Sequence, residues 1–203
     1  MTFNPNTYHR KSIRLKEYDY SQEGAYFVTI CTKDRECLFG KIENEKIILS
    51  PVGVIADILW YEIKSHFPNV ELGEFVVMPN HIHGVIIITE NQNTNRNVGA
   101  LHATPNPNND NQSRALHATP LQNSVSDKNE YMSSISPKSG TLSSIIRSYK
   151  SAVSKHAHRL EFYFEWQRNY HEHIIRNEQS FQKISEYIMN NPARWADDKF
   201  YVA

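Results

Sequence analysis

The chain has 203 residues, 39% of them apolar, enough for one domain with a sizeable core. Its 22 Lys and Arg balance its 22 Asp and Glu, so attraction by the whole molecular field is excluded and an anionic partner must be met by local clusters. No apolar run reaches the roughly 18 residues of a membrane span, and the polar start from Met1 to Arg10 does not read as a signal peptide; a soluble cytoplasmic protein is expected. Cys31 and Cys37 lack CxxC spacing and read as reduced structural thiols.

Residues 1–24 are polar, and the cluster Arg10, Lys11, Arg14 and Lys16 reads first as a solvated face and only second as a phosphate contact. Residues 25–32 form a β-rich run, and Lys46 to Leu49 form a shorter one, with residues 38–42 as its hairpin partner. Ser50-Pro51 is a helix start, because serine caps exposed amides and proline tolerates the first helical position. Val54, Ile55, Ile58, Leu59 and Ile63 then recur at helical spacing, and Pro68 closes the segment. A strand over Val70 to Val77 and a second one opening at His81 follow, separated by a Pro79-Asn80 break.

Residues 91–139 differ in kind: Asn, Ser, Thr and Pro dominate, and no hydrophobic period survives. They read as a flexible insertion within a single domain spanning 1–203. The hexapeptide at 100–105, Ala-Leu-His-Ala-Thr-Pro, recurs at 115–120. Two copies cannot build a repeat fold, and a slipped duplication in the coding DNA explains them, so His102 and His117 are poor metal candidates. Order resumes at Thr141, a cap for a helix with Leu142, Ile145, Ile146, Tyr149 and Val153 on one stripe and Arg147, Lys150 and Lys155 on the other. Residues 162–167 read as a short strand or an aromatic loop. The last helix is capped by Asn177 and ends about Asn191, because Pro192 disfavours helical geometry in the residue before it. The order of elements suits an α+β fold, an antiparallel sheet with helices on one side.

The chemistry centres on His81-Ile82-His83. In a strand the two histidines point to one face and Ile82 to the other, so both imidazoles can share a metal ion. Without a third partner, two hydrogen-bonded histidines at a strand end explain the pattern equally well. The closing helix offers that partner. Phe181, Ile184 and Ile188 form its apolar stripe, while Tyr187 and Asn191, four residues apart, project together from its edge. If the stripe packs on the histidine face, His81, His83 and Asn191 can ligate one divalent ion with Tyr187 beside it. A phenol with a pKa of about 10 is a weak nucleophile, so it needs activation or a strongly polarised electrophile, such as a phosphate on a metal that keeps open positions. Attack at phosphorus gives a phosphotyrosine ester, which conserves the bond for rejoining. Tyr149 lies on an apolar stripe and reads as core, and Tyr170 as structural. Glu172 and His173 are candidates to orient the site, with a structural role as an equal alternative.

These residues resemble the single-tyrosine HUH transposases, the insertion-sequence and REP-associated group. The matching stretches are 78–84 (Met-Pro-Asn-His-Ile-His-Gly), 166–177 and 187–192 (Tyr-Ile-Met-Asn-Asn-Pro), with 11–16, 18–21 and 24–29 similar to the REP-associated branch. The resemblance covers nearly everything outside 91–139. It implies a ferredoxin-like (RRM-like) core, a Mg²⁺ or Mn²⁺ ion, Tyr187 as nucleophile, and single-stranded DNA with hairpin ends as substrate, cut through a 5′-phosphotyrosine intermediate. Beside their structural readings it adds DNA stacking as a role for Tyr170 and DNA contact as one for Glu172 and His173, and it allows either a monomer or a homodimer. The readings it leaves beside this one are a catalytically silent hairpin-binding protein, a replication initiator or relaxase, and a metal hydrolase that uses water instead of Tyr187.

Overall fold

Residues 20, 22–90 and 140–202 are described in a computed structural model; the basic cluster at 10–16 and the expected insertion at 91–139 lie outside them. Strands β1 (Gly24–Cys31), β4 (Val70–Val77), β5 (His81–Ile88) and β6 (His171–Ile175) form one sheet in the order β4-β5-β1-β6, and every neighbouring pair is antiparallel. Strands β2 (Gly40–Glu43) and β3 (Lys46–Leu49) make the expected hairpin. Its two turn residues, Asn44 and Glu45, both have positive φ, the backbone twist that suits a two-residue hairpin loop.

The helices begin where their caps stand. Ser50 accepts from the Gly53 amide at 3.1 Å and Pro51 opens α1 (Pro51–Tyr61), which is followed by the short α2 (Ile63–His66). Thr141 accepts from the Ser144 amide ahead of α3 (Leu142–Arg159), and Asn177 Oδ1 accepts from the Ser180 amide ahead of α4 (Glu178–Asn190). Each cap satisfies an amide that has no partner inside its helix. Among the described residues no helix is long and apolar enough to cross a membrane.

Alternation along the strands divides the sheet into two layers. Tyr26, Val28, Ile30, Ile82, Ile86 and Ile88 face α1 and α3, and join Ala56, Trp60, Leu142, Ile145 and Val153 in the main core. Tyr149 is buried there, its hydroxyl donating to the Ala56 carbonyl at 2.8 Å, in line with its expected core role. The buried line of α1 is Val52, Ala56 and Trp60, while Val54 and Ile58 are exposed, which corrects the stripe read from the sequence. The helix is apolar on most sides, so spacing alone cannot fix its rotation. The Trp60 ring fixes it by lying against β5 at Gly84, where a Cβ would collide with the indole. The opposite face of the sheet carries a second, smaller core in which Ile188, Phe181 and Ile184 of α4 meet Val85, Phe27 and Ile175. The closing helix therefore packs on the histidine face, the condition the sequence reading set.

The remaining difference lies between α3 and α4. Residues 162–167 are a loop with a single bridge between Trp166 and Thr32, and the sheet's last strand is β6, a few residues later. In its sequence, His-Glu-His-Ile-Ile, only the last two residues favour a strand. Pairing with the open edge of β1 makes it a strand, a long-range cause that local composition does not carry.

Candidate metal and tyrosine site

Thr29, His83 and His171 stand in one row across β1, β5 and β6, and Cys31 stands opposite His81. His81 and His83 are both buried, and their Nε2 atoms approach to 3.0 Å. The outer nitrogens are held. His81 Nδ1 lies 2.9 Å from Asn80 Oδ1, and His83 Nδ1 lies 2.9 Å from Thr29 Oγ1. Asn80 uses its Nδ2 to donate to the Arg35 and Phe200 carbonyls, which leaves Oδ1 as an acceptor and assigns the proton to His81 Nδ1. The His81 Nε2 lone pair then points inward. Burial, with Lys199 and Arg35 nearby, lowers the His81 pKa to about 3. Burial and the neighbouring His81 lower that of His83 well below its ordinary value. Both rings are neutral at pH 7, the form that binds a metal ion.

The last turn of α4 completes the group. Tyr187 Oη lies 3.1 Å from His83 Nε2 and donates to Asp198 Oδ2 at 3.2 Å. Asn191 Nδ2 donates to the same Asp198 oxygen at 3.0 Å, and Asn191 Oδ1 is buried with no hydrogen-bond partner. That unpartnered oxygen is one that a metal ion could satisfy. His81, His83 and Asp198 form a group that could hold a metal ion, their ligand atoms all within 4.8 Å of one another. Tyr187 is 42% exposed, so a substrate can reach its oxygen. Partial burial and the facing Asp198 carboxylate push its pKa up to about 12.

All four residues singled out from the sequence, His81, His83, Tyr187 and Asn191, thus stand together. Asp198 was missed. It follows a short 3-10 turn, Pro192–Asp197, and the Phe200 amide holds its other oxygen at 2.7 Å. The only signal for it was a pair of consecutive acids soon after Pro192, which the helix pattern does not reach. Of the other candidates, His173 pairs with Phe27 and shares the site's face, whereas Glu172 pairs with Val28 on the core face. Tyr170 is half-buried against the main core. Cys31 and Cys37 are free thiols, Cys31 buried and Cys37 exposed, so a structural place holds for Cys31 alone.

No protein-family model matches the chain. An uncharacterized protein of Haemophilus influenzae is 40% identical over 201 residues, covering 98% of this chain and 97% of that one. Among solved structures, the fold is similar to that of a REP-associated tyrosine transposase bound to a REP hairpin, with 18% identity and a TM-score of 0.50 over 92% of this chain and 77% of the other.

Proposed function

We propose that this chain, which belongs to one family with the Haemophilus influenzae protein, is a metal-dependent DNA strand transferase of the tyrosine transposase type. Its substrate is single-stranded DNA flanked by hairpins, and its nucleophile is Tyr187. The carrying observation is the Tyr187 oxygen at 3.1 Å from one of two neutral, inward-facing imidazoles, with an unpartnered amide oxygen one helical turn away. The REP hairpin bound by the transposase of the same fold supports the choice of substrate.

His81, His83 and Asn191 would hold a Mg²⁺ or Mn²⁺ ion, which would supply Lewis-acid polarisation of a phosphate oxygen, while Asp198, grouped with the two histidines, is left to act as a base. Asn80 and Thr29 fix the two rings through their outer nitrogens, so both inner nitrogens are aimed at the site before substrate arrives. Tyr187 attacks phosphorus, the bond from phosphorus to the 3′-oxygen breaks, and the products are a 5′-phosphotyrosine and a free 3′-hydroxyl. The phenol donates to Asp198 Oδ2, and that carboxylate takes the proton and passes it to the departing 3′-oxygen. Rejoining runs the same step backwards, so no nucleotide cofactor is required.

The test is incubation of labelled, hairpin-flanked single-stranded DNA with the protein and Mn²⁺ or Mg²⁺, followed by a denaturing gel. A covalent adduct is expected for the native chain and none for Tyr187→Phe. His81→Ala is expected to lose the adduct while still binding the hairpin. Absence of an adduct on every hairpin-flanked strand, or its survival in Tyr187→Phe, would overturn the reading.

A further inference from the structure

We propose that Trp195 and Tyr201 form a stacking platform for an unpaired nucleobase next to the reacting phosphate. The inference rests on the strand-transferase reading and extends it to how the strand is held. A phosphorus attacked by Tyr187 must lie beside His83, so the adjoining nucleotides pass over the neighbouring wall. The Trp195 ring centre is 6.0 Å from that of His81. The indole therefore forms part of the wall beside the histidine pair. Tyr201 meets Trp195 edge-on at 5.5 Å and is 44% exposed, so an aromatic face remains open beside the site.

The segment bearing these rings is fastened to the site itself. Phe200 is buried against His81 with ring centres 4.6 Å apart, its amide donates to Asp198 Oδ1, and its carbonyl accepts from Asn80 Nδ2 at 2.8 Å. The platform is therefore held in place before any strand arrives, which reduces the entropy lost on binding. Charge selects the mode of attachment. Lys183, Arg194 and Lys199 line the cleft of about 540 Å³ at Tyr187, but Glu186, Asp197 and Asp198 line it too. Three cations against three acids give no net pull on phosphate, so affinity must come from base faces, with the cations placing the backbone. Trp195 and Tyr201 are not in that lining but on the segment that carries Arg194 and Lys199, and aromatic rings next to cations are a means by which proteins hold single strands. A duplex would hide those base faces, which makes the occupant an unpaired stretch.

The test is fluorescence anisotropy with a labelled, randomised single-stranded oligodeoxynucleotide and, in parallel, an abasic strand of the same length. Trp195→Ala and Tyr201→Ala are each expected to weaken binding of the intact strand about tenfold. Trp195→Phe is expected to keep most of the affinity, as is Tyr61→Ala, which removes an exposed aromatic from α1 on the opposite layer. The native chain is expected to bind the abasic strand about as weakly as the alanine variants bind the intact one. Unchanged affinity in both alanine variants, or equal binding of abasic and intact strands, would overturn the platform. If the covalent adduct still forms under those outcomes, the strand-transferase reading stands without it. Failure of the native chain both to bind single strands and to form an adduct would overturn both.

Discussion

Burial makes the Tyr187 phenol harder to ionise, and the Asp198 carboxylate that holds its hydroxyl adds to the effect, with a pKa of about 12. Asp198→Asn removes the negative charge and is expected to lower that value part of the way, since the burial remains. Ultraviolet pH titration reads the shift as the difference between variants with and without Tyr187, and an unmoved or higher value would contradict it. Metal affinity tests the outer contacts of the histidines. Thr29→Val keeps the shape but loses the hydroxyl at His83, and calorimetric titration with Mn²⁺ is expected to show about tenfold weaker binding. The depressed histidines also give a signed pH dependence. The His81 pKa is about 3 in the folded chain and about 6.5 when unfolded, so unfolding takes up a proton between those values. Stability is fully present above about pH 6.5 and falls as the pH drops toward 3. Thermal unfolding from pH 7 to 4 is expected to show this slope and to show a shallower one in His81→Gln; equal slopes would assign the dependence to other groups.

Elements explain why the residues meet. The three helix starts were legible because each cap and its following proline or apolar stripe act locally, at Ser50, Thr141 and Asn177. The histidine pair and the pair Tyr187 and Asn191 were legible for a similar reason, since strand and helix periods place them on one face each. Asp198 was not, because an irregular turn has no period and its position is set by Phe200 and Asn80 across the sheet end. Strand β6 was obscured for a related reason, its form being imposed by β1. Gly84, the last residue of the His-Ile-His-Gly run, has a packing duty that the motif alone does not reveal. Its missing side chain admits the Trp60 ring against β5. Gly84→Ala is expected to destabilise the chain by about 1–3 kcal/mol, as overpacking does, and equilibrium denaturation measures it. A neutral result would mean that the indole can move aside freely.

At the scale of the molecule, the sheet order β4-β5-β1-β6 is what brings residues a hundred positions apart into contact. β5 lies inside the sheet with the histidines on one face, and α4 crosses that face from the far edge. The antiparallel plan could be read from the sequence because strand and helix patterns alternate, whereas the rotation of α1 and the course of the C-terminal turn depend on packing that no window of sequence contains. At the cleft, three cations are matched by three acids. For single-stranded DNA, log affinity against log salt is therefore expected to have a slope shallower than the about −2 that three unopposed phosphate contacts would give, and shallower still in Lys199→Ala; a slope steeper than about −2 in the native chain would show that phosphate and not base faces carries the affinity.

The central claim is that Tyr187 becomes covalently joined to DNA. Digesting the denatured adduct with nuclease and protease, then locating the modified peptide by mass spectrometry, tests it most directly. The expected result is a nucleotide linked through its 5′-phosphate to Tyr187, formed only when Mn²⁺ or Mg²⁺ is present. A phosphate carried by another residue, or cleavage that leaves no residue modified, would contradict it.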